Sequence, residues 1–381
     1  MAAALKIVAV SMKCRIGELT SRASMVRLIH MKSQNGSPLR IAQIAPLWTP
    51  IPPSTYGGIE LLLALLCDEL VDRGHAVTLF ASGDCTTKAR LEAVIPANLS
   101  TLMGRGEALM HEYYMSAALA LALARQDEFD VIHAHLPTGW LPFGAASRTP
   151  CLFTFHTSPH ADDEWAMRRF PQVPVCGISH SQLAGASARL GREFPVVYNG
   201  VDFSRYSASF ERGKYLAFLG RMSPEKNPLG AIHIAQAAGM PIVLAGVPQN
   251  GSEEHYFEQS IRPLIDGERV RWIGAADFAK KNALLRDAAA LVFPIQWDEP
   301  FGLVMIEAMA CGTPVLAIRR GSVDEVMDEG VTGFSAPTVE ELAPLVAQTV
   351  ALDRPAVRAK AESRFGHEAM VDAYEALYRR L

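Results

Sequence analysis

The chain has few of the features that mark several large classes of protein. No apolar run approaches the roughly 18 residues that a membrane-spanning helix needs. The six cysteines form no C-x-x-C pair, which indicates neither a zinc site nor a disulfide framework and favours a reducing, cytoplasmic setting. The 36 basic and 40 acidic side chains leave a formal charge of −4, without the basic excess of a nucleic-acid binder. Membrane spanners, small secreted scaffolds and nucleic-acid binders are therefore excluded.

The first 38 residues differ from the rest of the sequence, with six Lys and Arg against one acid, Glu18. A signal peptide is disfavoured because the apolar segment 5–12 is short and no cleavage site of small residues follows it. A transit peptide, a disordered tail and a start codon assigned too early stay open, the last because Met31 stands shortly before the first predicted strand. We therefore place residues 1–38 outside the fold, as a disordered or misassigned extension.

From residue 39 onward, short apolar runs alternate with segments of helical spacing. Apolar strands joined by helical crossovers are typical of parallel sheets covered on both faces. About eleven strands exceed one open sheet of usual size, which favours two doubly wound α/β domains. The predicted strands are 39–45, 76–81, 131–134, 151–155, 175–178, 195–198, 215–219, 241–245, 270–273, 290–294 and 314–318, and the predicted helices are 59–73, 107–125, 181–190, 228–238, 280–288 and 302–310.

The break between the two domains is predicted in the polar, aperiodic stretch 199–213. An N-terminal Rossmann-like domain then spans 39–198 and a C-terminal one spans 214–366. A TIM barrel is the competing architecture, but it expects eight strand–helix units without a break in mid-chain. Because open α/β sheets bind ligands beyond the carboxyl ends of their strands, we expect the site in the cleft between the domains.

The sequence DEPFGLVMIEAMACGTPVL follows an apolar strand and predicts a helix with a polar entry. Phe301, Gly302 and Leu303 stand at the helix N-terminus, where free N–H groups and the helix dipole favour an anion. Glu307 is placed to accept hydrogen bonds from paired hydroxyls such as those of a ribose. Glu299 could contact another hydroxylated group nearer the reacting atoms. Either glutamate alone is more often a solvated helix residue, so the prediction depends on the combination.

The sequence FLGRMSPEKN indicates a phosphate site. A strand ends at Gly220, and Arg221 and Lys226 flank the Ser-Pro turn that follows. Arginine can grip a diphosphate with two N–H groups and lysine can bind it as a point charge. Taken alone, the pattern is more often a turn with two exposed bases.

The sequence STYGGIE lies between the first predicted strand and the first predicted helix. Gly57 and Gly58 allow a ligand to approach the backbone closely. The stretch is not the G-x-G-x-x-G of dinucleotide-binding proteins, and no G-x-x-x-x-G-K-[ST] of the P-loop ATPases occurs in the chain.

Together these stretches resemble the retaining glycosyltransferases of family 4, whose GT-B fold has two Rossmann-like domains facing across a cleft. The family's E-x7-E element corresponds to Glu299 and Glu307, its G-R-x-x-x-x-K element begins at Gly220, and its glycine loop is Gly57-Gly58. The resemblance runs from about residue 39 to the C-terminus. Further matches, in the family's order, are FTFHT at 153–157, ISHSQ at 178–182, YNGVD at 198–202 and RGSVDEVMDEGVTGF at 320–334.

The resemblance implies a role for each matching residue. Arg221 and Lys226 would bind the diphosphate of the sugar donor, Glu307 the ribose and Glu299 the transferred sugar. His156 matches the histidine that approaches the sugar at the reaction centre, although a lone histidine after a strand is more often structural. The donor site would be completed by Gly57, Gly58, Gly220, Phe301, Gly302 and Leu303. The last helix, 367–381, would cross back onto the first domain.

The resemblance also implies a reaction without metal or cofactor. Two cations and oriented amides would stabilise the diphosphate that leaves when the anomeric C–O bond breaks. The family lacks a D-x-D metal site, and the acidic residues 162–164 are interpreted as a loop or a helix start. The configuration of the sugar would be retained by front-face attack, with the donor phosphate as base.

The expected partners are a nucleoside diphosphate sugar and an acceptor hydroxyl. A UDP-hexose is favoured over GDP-mannose on family frequency, and the acceptor is a glycan, a lipid-linked sugar or a small molecule of polysaccharide or glycolipid synthesis. Many members act on lipid-linked acceptors, which implies peripheral contact with the inner face of a membrane. Helix 107–125 and the patch around Trp165, Arg168 and Arg169 are the candidates for that contact, although an exposed loop or acceptor rim explains the patch more simply.

Two other classes of function stay open at this stage. A non-catalytic subunit that binds sugar nucleotides would share the donor motifs, and turnover of the donor distinguishes it from an enzyme. A sugar-nucleotide epimerase is an alternative within the same fold. A glycosidase would also use two carboxylates, but it would not need Arg221 and Lys226.

Overall fold

The computed structural model describes residues 36–53 and 57–381. The expectation for residues 1–35 therefore lies outside the described part, as do residues 54–56 before the glycine pair. From residue 40 onward, the described chain contains two parallel sheets of six strands each.

The first sheet is built from residues 40–176. Its strands are β1 Arg40–Ile44, β2 Ala76–Ser82, β3 Arg90–Ile95, β4 Val131–Ala134, β5 Cys151–Thr154 and β6 Val175–Cys176. The helices of this half are α1 Gly58–Asp72, α2 Leu99–Gly104, α3 His111–Ala124, α4 Leu141–Ala145, α5 Ala161–Arg169 and α6 His180–Leu190.

The second sheet is built from residues 216–336. Its strands are β7 Leu216–Leu219, β8 Ile242–Ala245, β9 Val270–Trp272, β10 Ala290–Phe293, β11 Val315–Ile318 and β12 Gly333–Ala336. The helices that follow residue 200 are α7 Pro228–Ala237, α8 Gly251–Tyr256, α9 Phe278–Asp287, α10 Leu303–Ala310, α11 Val323–Val326, α12 Val339–Leu342, α13 Val346–Thr349, α14 Arg354–Phe365 and α15 His367–Tyr378.

Both sheets have the same strand order. The first runs β3-β2-β1-β4-β5-β6 and the second runs β9-β8-β7-β10-β11-β12 when read in the same sense. Each sheet therefore has a point where the order reverses, between β1 and β4 and between β7 and β10. In doubly wound sheets the crevice for ligands opens at this point, beyond the carboxyl ends of the strands. The prediction of two doubly wound sheets is confirmed, and the TIM barrel is wrong.

The central strands are buried because helices cover both faces of each sheet. Every residue of β4, β5, β10 and β11 is buried, which matches the continuous apolar runs in the sequence. The two principal cores lie around Phe80 and Phe153 in the first half and around Phe301 and Phe365 in the second. No helix among the described residues is both long and apolar enough to cross a membrane.

One predicted strand is wrong, and two strands of the structure were not predicted. The segment 195–198 makes only an isolated bridge between Val196 and Gly177, because Pro195 has no N–H to extend a ladder. The strands β3 and β12 were not predicted, and both lie at sheet edges. Edge strands need not be continuously apolar, and β3 is largely exposed or half-buried, so its sequence RLEAVI lacks the signal of a core strand.

The C-terminal segment forms two helices that are separated by Gly366. Helix α14 packs against α10 of the second half, and α15 packs against α1 of the first half. The guanidinium of Arg73 lies 2.5 Å from the carboxylate of Asp372 at this contact. The chain thus returns from the second sheet to the first, and α15 covers β1, where Gln43 contacts Tyr378.

Candidate active site

The predicted site residues follow strands near the two points where the strand order reverses. Loops at the carboxyl ends of parallel strands lie along one edge of the sheet, so residues far apart in sequence are brought to one place. In chain order, Gly57 and Gly58 follow β1, His156 follows β5, Gly220, Arg221 and Lys226 follow β7, Glu299, Phe301 and Gly302 follow β10, and Leu303 and Glu307 lie on α10.

The loop after β10 enters α10 through a glycine in the left-handed region. Gly302 is the N-cap residue with φ of 77°, a conformation that other residues adopt at a cost. A Cβ at this position would lie 2.8 Å from Cε of Met305, the movable end of a flexible side chain, so it is the backbone conformation that favours glycine. The helix begins at Leu303, where the first N–H groups of a helix favour an anion, and the N–H of Met305 donates to the carbonyl of Gly302 at 2.9 Å.

A second loop, after β11, supports the loop after β10. The hydroxyl of Ser322 donates to the carbonyl of Phe301 at 2.8 Å, and the N–H of Ser322 donates to the carbonyl of Glu299 at 3.0 Å. Gly321 has φ of 60°, and a Cβ there would lie 2.4 Å from the nitrogen of Glu299. The segment RGSVDE, which matches the family, therefore packs against the loop after β10 and holds it in place.

Lys226 and Glu299 form an ion pair that joins the loops after β7 and β10. The indole N–H of Trp297 donates to the same carboxylate oxygen at 2.9 Å. The Trp297 ring also lies 4.9 Å from the ammonium nitrogen of Lys226, a cation–π distance. The two sequence motifs that predicted a donor site are therefore in direct contact.

The turn between Arg221 and Lys226 is fixed by Asn227. This residue has φ of 56°, and its side chain accepts a hydrogen bond from the N–H of Gly230 at the start of α7. Its amide nitrogen donates to the carbonyl of Pro294 at 2.9 Å. Asn227 thereby ties the turn after β7 to the end of β10.

Arg221 has two carboxylate partners, Glu225 and Glu253. The pair with Glu225 has a distance of 2.8 Å. Arg221 itself is half-buried, while Glu253 is buried at the start of α8. Two glutamates that the sequence did not predict therefore pair with the arginine that was predicted to bind phosphate.

Gly220 lies against a second glycine, which no sequence motif indicated. Gly246 has φ of 129°, and a Cβ there would lie only 1.8 Å from the carbonyl oxygen of Gly220. The strand ends of β7 and β8 can approach this closely only because position 246 has no side chain.

Glu307 is buried on α10 and is 5% exposed. Lys281 of α9 forms an ion pair with its Oε1 atom, and the hydroxyl of Tyr206 donates to the same atom at 3.0 Å. Oε2 accepts no hydrogen bond from the described residues and is available to a ligand hydroxyl. Burial and the adjacent Glu307 carboxylate raise the pKa of Tyr206 far above its usual range, so this phenol remains a donor.

The glycine loop of the first half lies against the helix entry of the second. A Cβ on Gly58 would lie 3.1 Å from Cδ1 of Leu303, so a side chain at position 58 would crowd this contact. Behind the loop, burial raises the pKa of Glu60. The two halves therefore meet where both sequence motifs predicted a ligand.

His156 is half-buried after β5, and its Nε2 atom lies 2.9 Å from Nδ1 of His135. The two rings are stacked with centroids 5.2 Å apart. Burial lowers the pKa of His156 to about 4, so the ring is neutral near pH 7. The neighbouring histidine was not predicted, although His133 and His135 stand out as polar residues in and just after an otherwise apolar strand.

The structure brings some predicted residues together and leaves others apart. Lys226 contacts Glu299, and Gly58 lies beside Leu303. Arg221 and Glu307 each have their own ion-pair partners, and the partners of His156 lie in the first half. The acidic residues 162–164 begin α5, as predicted. Across the described ranges, no group of three His, Cys, Asp or Glu side chains is arranged to hold a metal ion.

Two family models match successive parts of the chain. Glycosyltransferase Family 4 matches residues 56–205, and Glycosyl transferases group 1 matches residues 202–365. Two doubly wound parallel sheets whose strand-end loops meet in one site define the GT-B class of glycosyltransferases. Within that class the chain belongs to glycosyltransferase family 4, as the motifs predicted.

Individual relatives agree with this assignment. The glycogen synthase of Mycobacterium tuberculosis is 28% identical over 266 residues, and the match covers 60% of this chain and only 61% of that relative's length. The phosphatidyl-myo-inositol mannosyltransferase of Mycolicibacterium smegmatis is 26% identical over 330 residues, 78% of this chain and 81% of the relative. The solved structure of Anabaena HepE in complex with UDP and glucose matches with a TM-score of 0.67 at 22% identity, over 90% of this chain and 100% of that one. This likeness shows a common fold.

Proposed function

We propose that this protein transfers a hexosyl unit from a nucleoside diphosphate sugar to an acceptor hydroxyl, with retention of anomeric configuration and without a metal. The observation that carries the proposal is the ion pair between Lys226 and Glu299, because it joins the two donor motifs in one place. The contact of Gly58 with Leu303 adds the glycine loop of the first half. A donor bound there would lie between the two sheets.

The charges at this place suit an exchange of partners. Arg221 and Lys226 are paired with Glu225, Glu253 and Glu299. A diphosphate would replace carboxylates as the partner of the two cations, and Glu299 would then be free to accept from sugar hydroxyls. The cations would next stabilise the negative charge on the departing nucleotide, which is the term that contributes most to such reactions.

The ribose is assigned to Glu307. Its Oε1 atom is occupied by Lys281 and Tyr206, so Oε2 would accept from the ribose hydroxyls. Lys281 orients the carboxylate, which would then bind the ribose as acidic residues do in related sheets.

A UDP-hexose is the favoured donor. HepE, which shares the fold, has been solved with UDP and glucose and with UDP-glucose. The relatives include a mannosyltransferase and a glycogen synthase, so sugars of GDP and ADP are included in the test. The acceptor is a hydroxyl of a glycan, a glycolipid or a small molecule.

The donor site is tested by nucleotide binding. UDP, GDP and ADP are compared by thermal shift, and hydrolysis of their sugars is followed with and without EDTA. We expect UDP to raise the melting temperature, since a ligand at 100 times its Kd stabilises by about 2.7 kcal/mol. Arg221→Gln and Glu307→Gln should abolish the shift, whereas Arg262→Gln, which removes an exposed pair with Glu258, should keep it.

Each outcome decides between the alternatives. Slow donor hydrolysis that persists in EDTA supports a metal-independent transferase. A nucleotide shift without any turnover, even with acceptors present, favours the non-catalytic binding protein. No shift with any nucleotide in folded protein overturns the donor site.

Peripheral membrane contact in the cytoplasm is proposed from exposed apolar side chains on the first half. Leu109, Met110 and Tyr113 at the start of α3 are 81, 53 and 72% exposed, and Trp165 on α5 is 65% exposed near the exposed Arg168. Co-sedimentation with vesicles of anionic lipid tests this proposal. Binding that the double variant Leu109→Ser/Tyr113→Ser abolishes supports it, and absence of binding by the wild-type protein contradicts it.

A further inference from the structure

A series of hydrogen bonds between uncharged side chains runs through the interior of the first half and ends at His156. Nε2 of His156 lies 2.9 Å from Nδ1 of His135, and Nε2 of His135 lies 3.2 Å from Oε1 of Gln43. His135 and Gln43 are both buried. The candidate catalytic histidine is therefore linked to the centre of the sheet.

The series continues from Gln43 to the C-terminal helix and back to the sheet. The amide nitrogen of Gln43 donates to the hydroxyl oxygen of Tyr378 at 2.9 Å. That hydroxyl lies 2.7 Å from Nδ1 of His133, and Nε2 of His133 lies 2.8 Å from the hydroxyl of Thr154. We name these six residues the histidine network: His156, His135, Gln43, Tyr378, His133 and Thr154.

Strand register explains why the network forms. Gln43 and His133 are directly paired across β1 and β4, and His133 and His135 stand two residues apart, so that both point to the same face of the sheet. Helix α15 covers that face and brings Tyr378 between Gln43 and His133. The face of the first sheet under α15 therefore carries a row of polar side chains that are hydrogen-bonded to one another.

The histidines of the network are neutral. Burial lowers the pKa of His133 and of His135 well below the usual range, and each is lowered further by its histidine neighbours. The two carboxylates of the predicted donor site, Glu299 and Glu307, are paired with lysines of the second half. Each imidazole therefore carries one N–H and one bare nitrogen.

The amide of Gln43 sets the direction of every hydrogen bond toward the site. Its Oε1 atom can only accept, so Nε2 of His135 carries the proton. Nδ1 of His135 is then bare and accepts from the Nε2–H of His156. Nδ1 of His156 is consequently bare, and it has no hydrogen-bond partner among the described residues.

Tyr378 fixes the orientation of that amide. Its oxygen accepts from the amide nitrogen of Gln43 and its proton is donated to Nδ1 of His133, which in turn donates to Thr154 through Nε2–H. Without the hydroxyl, the amide nitrogen of Gln43 would lose its acceptor inside the core, where an unpaired donor costs about 1–3 kcal/mol. The preference for this orientation would then be lost, so the turned-over amide, which reverses the donors at His135 and His156, would be populated as well.

We propose that Tyr378 and Gln43 are positioning residues that hold His156 in its Nε2–H tautomer, so that the bare Nδ1 atom accepts a hydrogen bond from a hydroxyl of the bound sugar. The proposal rests on the proposed function in one respect, namely that a sugar lies beside His156. It also makes the tautomer of the reacting histidine depend on a helix that follows the second sheet in the chain.

The test compares two tyrosines of α15 that differ in their place in the network. Tyr378→Phe removes the hydroxyl between Gln43 and His133. Tyr374→Phe is the matched control, because among the described residues its hydroxyl makes a hydrogen bond to Thr154 alone, at 3.4 Å, and lies outside the path from Gln43 to His156. Both rings are buried on the same helix.

Two readouts separate positioning from a merely structural role. Nitrogen-15 NMR of labelled histidines, with His156→Gln to assign the signal, distinguishes a bare from a protonated Nδ1. We expect a bare Nδ1 in wild-type protein and in Tyr374→Phe, and a protonated or averaged Nδ1 in Tyr378→Phe. For donor hydrolysis, Tyr378→Phe should lower kcat about tenfold with little change in KM, since a wrong tautomer acts on the chemical step.

Failure of this inference is distinguishable from failure of the proposed function. A protonated Nδ1 in wild-type His156, or an unchanged tautomer and kcat in Tyr378→Phe, overturns the inference. If the wild-type protein turns over no donor, the proposed function fails while the NMR comparison still decides the tautomer. Should Tyr378→Phe not fold, Gln43→Met removes the same two links while keeping a side chain of similar shape, and the same shift of tautomer is expected.

Discussion

The two halves of the protein share one strand order but place different polar groups near the points where that order reverses. In the second half, Arg221, Lys226 and Glu299 are charged, half-buried and held in ion pairs. In the first half, Gln43 and His135 are uncharged, buried and hydrogen-bonded to one another. The shared topology places the ligand site at the same edge of each sheet. The side chains differ, so the second half would act on a ligand through charge and the first half through the position of a proton.

The largest expected effect is a loss of donor turnover when a charge of the second half is removed. Lys226→Gln should lower kcat for donor turnover about 10²–10³-fold, because a positive group aimed at the leaving diphosphate is lost. The measurement is steady-state hydrolysis of the donor identified by thermal shift. Lys280→Gln, an exposed lysine of α9, is the control and should retain turnover; an equal loss in both variants would contradict the site.

A smaller effect is expected in the first half, where the neutral His156 should make the free energy of unfolding depend on pH. Burial lowers the pKa of His156 from 6.5 to about 4, so the unfolded chain binds a proton that the folded chain does not between these values. The free energy of unfolding should therefore fall as the pH decreases from about 6.5 toward 4. Urea denaturation at pH 7 and pH 5 measures this fall, which should be shallower in His156→Gln. Equal slopes in both proteins would show that the ring is not kept neutral.

The smallest effect is expected for a hydrogen-bonded contact between the two halves, and it is measured as a change in stability. Glu325 of α11 accepts from the N–H groups of His180 and Ser181, at 2.8 and 2.6 Å, at the start of α6. Glu325→Gln should lower the free energy of unfolding by about 1 kcal/mol, because a negative charge at a helix N-terminus is lost. Thermal denaturation measures this loss.

The control for Glu325 is its neighbour Asp324, whose side chain is 66% exposed and pairs with Arg319 at 3.4 Å. Asp324→Asn should change the stability by less than about 0.5 kcal/mol. If both variants behave alike, the carboxylate of Glu325 does not fasten the two halves.

Much of the fold could be predicted from the sequence, because buried parallel strands consist of continuous apolar residues. The segments around β4, β10 and β11 were recognised in this way, to within a residue or two. The edge strands β3 and β12 were missed, since a strand with an exposed face or edge needs no such run. The segment 195–198 was apolar enough to be predicted as a strand, but Pro195 prevents a regular ladder.

The candidate site was predicted only as far as short motifs reach. The cations after β7 lie close together in sequence, as do the glutamates around α10, so short motifs were enough to predict them. The structure then showed which of them are in contact. Their partners Glu253 and Lys281 were missed, because each lies on another helix. The same limit hid Tyr378, which stands 335 positions from Gln43 in the sequence.

Periodicity and short spacings are local properties of the chain, and they were enough to predict the fold class, the family and the residues of the donor motifs. The pairing of the charges and the direction of the hydrogen bonds to His156 depend on the three-dimensional fold. Ion pairs and buried hydrogen bonds depend on atoms that meet within about 3 Å, and parallel sheets bring such atoms together across long crossover connections. The contact of Lys226 with Glu299 and the path from Tyr378 to His156 are therefore consequences of strand order, which no local pattern contains.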